Sequence, residues 1–211
     1  MNKISNYQKD KVVLGVNIFK GVSVLSYDRI LDFIKDETGN IRSNHMESLP
    51  PGYQNSRKLY RSFGIDPTRY RPSSEALWRR VKKGESLPEV NPFVDLTNLL
   101  SLNFQIPYGL YDLNKINGDV ALTTGDNGDW YEGIRKERVS LQGRVVLSDR
   151  TGPFGNPSSD SLRTSTEIET RDILQVIFFT HEEEKREIIL SSSEDLYRRY
   201  IKISETISYM A

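Results

Sequence analysis

Residues 61–112 read RSFGIDPTRYRPSSEALWRRVKKGESLPEVNPFVDLTNLLSLNFQIPYGLYD. Four pieces succeed one another here: a Gly-Ile-Asp-Pro turn, a basic segment, a Pro-bounded apolar segment and a Pro-Tyr-Gly-Leu-Tyr-Asp exit. The basic segment predicts a helix over 73–83. Pro72 and Ser73 start it, Glu75 complements the dipole of its first turn, and Gly84 ends it. Arg79, Arg80, Lys82 and Lys83 crowd its last turn, where cations suit the helix C-terminus. The next piece, 92–104, predicts a second helix with Pro92 in its first turn. Phe93, Leu96, Leu99, Leu100 and Phe104 fall on its core side, while Asp95, Asn98, Ser101 and Leu102 recur along another line. Two fates are open to that line and to Thr97 beside it: capping and backbone hydrogen bonds, or the lining of a wet cavity.

Around this stretch the cationic charge is local. Residues 57–83 carry nine positive side chains, from Arg57 to Lys83, against Asp66 and Glu75, in a chain whose 29 Lys+Arg balance 29 Asp+Glu. Tyr60, Phe63, Tyr70 and Trp78 interleave with them, a mixture suited to phosphate contact and base stacking. Pairing of these arginines with acidic loops elsewhere is the alternative.

Upstream, 12–25 is rich in β-branched residues and predicts one or two buried strands. Ser26 caps a helix over 27–36, with Leu25 and Ile30 as a hydrophobic staple. Residues 38–56 read as loop, and a short helix is expected near 54–62. Downstream, 118–124, 139–148 and 173–179 predict strands. Gly and Pro mark 149–166 as a loop, in which Asp160, Ser161, Arg163 and Thr164 are polar groups of the kind that build sites on rigid sheets. Leu196, Tyr200, Ile203 and Ile207 recur at helical spacing and predict a docking helix over 193–209.

Composition narrows the chemistry. The 211 residues include no cysteine and two histidines, His45 and His181. Thiol nucleophiles, zinc–thiolate sites and disulfides are excluded, and a His-rich metal site or a His-based triad is poorly supported. No apolar run approaches the roughly 20 residues of a membrane helix, and the N-terminal MNKISNYQKDK lacks a signal-peptide core. A cytoplasmic chain with no cofactor, no metal, no membrane and no DNA partner is expected.

The ordered run Arg71-Pro72-Ser73-Ser74-Glu75-Ala76-Leu77-Trp78-Arg79-Arg80-Val81, Leu87-Pro88, Val94-Asp95-Leu96-Thr97-Asn98 and Pro107 to Asp112 resembles the tRNA-editing module of the phenylalanyl-tRNA synthetase β subunit, its third and fourth domains fused. Free-standing copies of that module are more similar still, and Phe154–Thr164, FGNPSSDSLRT, also looks like the free-standing kind. The resemblance covers roughly residues 55–180. It implies an α+β fold of mixed β-sheets flanked by helices. The division expected is an N-terminal part over 1–56 belonging to the same domain, an editing-module-like core over 57–180 and a docking helix within 181–211. In the synthetase, the module hydrolyses tyrosine wrongly attached to phenylalanine tRNA. Motif matching puts Thr97 and Asn98 on the family's pocket-lining Thr-Asn pair, and Asp112 on the Asp closing its Pro-x-His-Ala-Phe-Asp motif. Gly109 stands where that motif has histidine, the imidazole that the synthetase sets beside the substrate ester. Synthetase catalytic motifs are not visible, so aminoacylation is rejected.

The expected function is therefore tRNA binding with editing-like hydrolysis of misacylated aminoacyl-tRNA in trans. Asp95, Asp160 and Arg163 form the candidate catalytic set: a carboxylate orients water, and Arg163 with Thr97 and Asn98 holds the ester and its oxyanion. Ser101, Asp112, Ser161 and Thr164 complete the substrate-binding set with Thr97 and Asn98. Arg69, Arg71, Arg79 and Arg80 are the candidate RNA contacts. A non-catalytic RNA- or metabolite-binding module that kept the fold but lost hydrolysis is the alternative. An enzyme acting on a small free amino-acid-like substrate is a third.

Overall fold

The structure, a computed structural model, describes residues 4–134 and 136–211; residues 1–3 of the N-terminal stretch weighed above lie outside the described residues. The chain is α+β in three layers. It begins with β1 (Ile4–Asn6), β2 (Val13–Lys20) and β3 (Ser23–Val24), followed by α1 (Tyr27–Asn44), α2 (Tyr53–Ser62), α3 (Ser73–Lys82) and α4 (Pro92–Phe104). Then come β4 (Tyr108–Asp112), β5 (Val120–Thr124), β6 (Trp130–Gly133), β7 (Lys136–Ser140), β8 (Val145–Asp149), β9 (Gly152–Asn156), β10 (Ser159–Asp160) and β11 (Asp172–Phe179). The chain closes with α5 (Arg186–Tyr200), β12 (Ile201–Lys202) and β13 (Glu205–Met210).

A four-stranded antiparallel sheet, in the order β13-β2-β11-β4, forms the middle layer. Its strands alternate, as a sheet buried on both faces demands. Phe19, Ile173, Ile177 and Phe179 meet the helices, in one core with Ile30, Trp78, Phe93, Leu96 and Tyr197. Leu14, Val16, Ile18, Leu174, Val176 and Phe178 face a five-stranded mixed sheet, β1-β5-β8-β9-β10, in a second core with Leu122, Leu147 and Phe154. Strand β4 is an edge of the middle sheet and β10 an edge of the outer one.

The expected helices form at 53–62, 73–82 and 92–104. Asn91 caps α4, its Oδ1 accepting from the N–H groups of Phe93 and Val94. Ser26 caps α1 as expected, but α1 runs on to Asn44 because Ile41 extends its apolar face, and Leu25 stays exposed rather than stapled. The run 139–148 is two strands, broken where Gly143 takes a positive φ of 68°. The segment 149–166, expected to be loop, is largely the β9–β10 hairpin and a short 3₁₀ turn at Leu162–Thr164. The expected helix over 193–209 ends at Tyr200. Beyond it the chain turns and β13 pairs with β2 along Glu205–Met210, covering an edge that would otherwise present unpaired backbone.

Candidate functional site

A cavity of about 390 Å³ opens where the helical layer meets the β9–β10 end of the outer sheet. Ser73 and Leu77 of α3, Val94, Thr97, Asn98 and Ser101 of α4, and Tyr108 and Leu110 of β4 line it. Ile134, at the tip of the β6–β7 hairpin, and residues 156–160 complete the wall together with Ser165 and Thr166. Its volume falls in the range typical of small-molecule sites. Among the described residues, Asp160 is the one charged side chain in that lining.

Asp160 is half-buried, on β10. Its Oδ1 accepts from the Tyr111 hydroxyl at 2.7 Å, and the backbone N–H groups of Leu110 and Asn156 also favour the charged carboxylate. Burial nevertheless outweighs these three donors, and its pKa is pushed up to about 7. The Asn156-Pro157-Ser158 turn that carries it is built by Asn156, whose Oδ1 accepts from the N–H groups of Ser158 and Ser159. The turn is anchored to the helices by Tyr60, whose hydroxyl donates to the Pro157 carbonyl at 2.8 Å.

On the opposite wall Thr97 and Asn98 differ. The Thr97 hydroxyl accepts from Gln175 Nε2 at 3.2 Å and lies 2.7 Å from the Tyr197 hydroxyl, which donates to the Phe93 carbonyl at 2.7 Å. Since Tyr197 spends its proton on Phe93, Thr97 donates to Tyr197. Asn17 Nδ2 donates to Gln175 Oε1 at 3.0 Å, so a one-way chain of buried donors crosses the sheet and holds Thr97. The neighbouring Asn98 amide makes no hydrogen bond to the described residues and faces the cavity. Ser101 donates to the Ile106 carbonyl at 2.7 Å.

The other expected site residues lie elsewhere. Asp95 turns to the far side of α4, where it accepts from the Tyr27 hydroxyl and from Val90 N–H; burial raises its pKa against those bonds. Arg163 forks onto Asp149, both N···O distances 3.0 Å, and bonds the carbonyls of Lys115 and Gly152. Burial would raise the Asp149 pKa, but the guanidinium and the N–H groups of Asn117 and Thr151 hold it below the usual range. Asp112 accepts from Asn114 N–H and from the Thr170 hydroxyl. Ser161 and Thr164 are buried against each other, hydroxyls 3.2 Å apart. Asp95, Asp112, Ser161, Arg163 and Thr164 thus lie outside the cavity lining and brace backbone or one another. Thr97, Asn98, Ser101 and Asp160 are brought together. Residues that the sequence reading passed over, Tyr111, Asn156 and Ser158, are at the centre; of these only the Asn-Pro turn carried a local signal.

The cavity's neighbour is cationic. While Ser73 and Leu77 face the cavity, Arg71, Arg79, Arg80, Lys82 and Lys83 line a shallow depression on the flank of the same helix. Arg57, Arg71 and Arg79 converge on one buried carboxylate, Glu75, at 2.9, 3.4 and 2.9 Å. Arg80 pairs with Glu85 at 3.3 Å, and Arg69 lies over the Tyr70 ring, 5.3 Å from its centroid. One carboxylate among three guanidinia fixes their geometry and leaves the flank positive. Among the described residues, no group of three or more His, Asp and Glu side chains could hold a metal ion, and no helix is long and apolar enough to cross a membrane.

Fold and cavity together define an α+β module with a ligand-sized cavity beside a cationic helix. The chain belongs to the B3/4 domain family, whose model matches residues 55–208, and the kinship to the phenylalanyl-tRNA synthetase β-subunit type drawn from the motifs holds at that level. Among solved structures it is similar to an N-terminal fragment of the phenylalanyl-tRNA synthetase β-subunit from Pyrococcus horikoshii, at 12% identity and a TM-score of 0.48, covering 98% of this chain and 53% of that one. The chain spans about half the length of that fragment. No curated protein matches the chain.

Proposed function

We propose that this protein binds the aminoacylated end of a tRNA and hydrolyses its ester, with the aminoacyl group in the 390 Å³ cavity and the RNA on the flank of α3. The observation that carries the reading is the meeting of Asp160 from β10 and the unpartnered Asn98 amide from α4 across one cavity, whose wall is shared by α3, the helix with the cationic flank.

The candidate catalytic set narrows to Asp160. Its carboxylate, with a pKa near neutrality, orients a water and takes its proton as the oxygen bonds to the ester carbonyl carbon. The Asn98 amide donates to the oxyanion that forms. Collapse breaks the bond to the ribose oxygen, which leaves with the proton returned by Asp160, giving free amino acid and tRNA. An aminoacyl ester is already activated, so positioning supplies much of the acceleration. The apolar wall of Leu77, Val90, Val94, Leu110 and Ile134 receives the amino-acid side chain. Arg71, Arg79, Arg80, Lys82 and Lys83 meet phosphates.

Incubation of the purified protein with a panel of mischarged tRNAs tests this. Turnover above buffer for at least one, reduced at least tenfold by Asp160→Asn with little change in KM, is expected. No turnover for any substrate ends the catalytic reading. A second reading, binding without hydrolysis, draws support from the commitment of Asp95, Arg163 and Thr97 to structural bonds; saturable binding of aminoacyl-tRNA without turnover would assign it.

A further inference from the structure

The Tyr111 side chain is fully buried and belongs to the core between the two sheets, yet its hydroxyl reaches the cavity carboxylate. It passes through a slot from which side chains are missing. A Cβ on Gly109 would lie 2.1 Å from the Tyr111 hydroxyl oxygen and 2.7 and 2.8 Å from Cζ and Cε2. One on Gly155, across in β9, would lie 2.2 Å from the same oxygen and 2.6 and 2.7 Å from Cζ and Cε1. Neither glycine has a positive φ, so the backbone does not require glycine at either place; the phenol does. Phe154 meets the ring edge-on, centroids 4.9 Å apart at 83°, and fixes its tilt.

We infer that Tyr111 is a positioning residue for Asp160, and that Gly109 and Gly155 are the two halves of the slot that lets it act. The inference rests on the proposed role of Asp160. A carboxylate alone on a cavity wall can rotate and take several hydrogen-bonding arrangements. Here the phenol claims Oδ1, while the N–H groups of Leu110 and Asn156 favour the charged form of the same carboxylate. The remaining acceptor capacity is what a water or ligand in the cavity meets. Because Tyr111 stands in the middle sheet, Gly155 in the outer sheet and Asp160 at the cavity, the device also ties the register of the two sheets to the orientation of the working group. Among the described residues, the other titratable groups that feel the Asp160 charge are Tyr131 from β6 and Tyr60 from α2; neither reaches its carboxylate by a direct hydrogen bond.

The test is a pH titration of the full chain carrying ¹³C-carboxyl aspartate, with the Asp160 signal assigned by its loss in Asp160→Asn. A donor to the charged form lowers a pKa, so Tyr111→Phe raises the Asp160 midpoint, by about one pH unit. Gly109→Ala, which displaces the phenol, moves it the same way. On any mischarged tRNA that the wild-type protein hydrolyses, Tyr111→Phe lowers kcat about tenfold with KM within twofold, and the rate–pH profile moves upward in step. An unchanged midpoint in folded Tyr111→Phe overturns the inference. Should that variant fail to fold, the wild type decides: the Tyr111 hydroxyl proton gives a slowly exchanging signal that shifts with the Asp160 midpoint, and a signal blind to pH overturns it. Absence of turnover beside a Tyr111-dependent midpoint defeats the hydrolase reading and leaves the positioning device standing.

Discussion

Thr97 and Asn98 are neighbours in sequence with opposite employment. Thr97→Val removes the acceptor of Gln175 Nε2 and the donor to Tyr197, both buried, and is expected to cost about 1–3 kcal/mol. Asn98→Ala breaks no hydrogen bond to the described residues and should change stability by less than about 0.5 kcal/mol while weakening ligand binding. Urea denaturation of the two variants measures the contrast, and equal losses would contradict it. Asp160 makes a prediction in pH. Its folded pKa of about 7 stands above the ~3.9 of an unfolded aspartate, so the folded state holds the extra proton between those values. That contribution to stability is complete below about pH 4 and is lost as pH rises through about 7. The stability difference between wild type and Asp160→Asn should therefore fall with pH across this window; a flat or rising difference contradicts the assignment.

At the level of elements, α3 combines a structural ion cluster with a charged surface. Glu75→Gln leaves three guanidinia without their shared carboxylate and should destabilise by about 1–3 kcal/mol. Arg80 and Lys83 lie outside that cluster, so Arg80→Ala with Lys83→Ala should leave the fold intact and reduce the salt slope of tRNA binding by about 2. An unchanged slope removes α3 from the interface. The C-terminal strand offers a separate check. Hydrogen exchange along 205–210 should alternate between protected and open amides, as for a sheet-edge strand; uninterrupted protection would restore the helix that the spacing of Leu196, Tyr200, Ile203 and Ile207 suggested.

Across the whole molecule, what was legible from the sequence was whatever a short window decides. The helices α2 to α4 carry their own apolar stripes, α4 also its Asn91 cap, and the α+β class and family followed from ordered motifs. What was missed depended on distant partners. Gly and Pro in 149–166 looked like loop punctuation, but Gly155 is glycine because of Tyr111 from another sheet. Ile207 continues the helical spacing of Leu196, Tyr200 and Ile203, yet it falls on β13, paired with β2. Among the site residues, spacing on α4 gathered Asp95, Asn98 and Ser101, and the cavity took the last two while Tyr27 and Val90 claimed the first. Sequence could name the chemistry-bearing residues; which face of an element they serve was set by packing.

The central claim is that cavity and cationic flank act together on one ligand. Nuclear magnetic resonance titration of the ¹⁵N-labelled full chain with an RNA acceptor hairpin carrying a non-hydrolysable 3′-amide-linked aminoacyl group tests it most directly. Amides of Asn98, of 156–160 and of α3 are expected to shift together and saturate at one Kd, and the hairpin without its aminoacyl group to move α3 alone. Shifts confined to α3 with the aminoacyl group present, or no saturable shift anywhere, would contradict it.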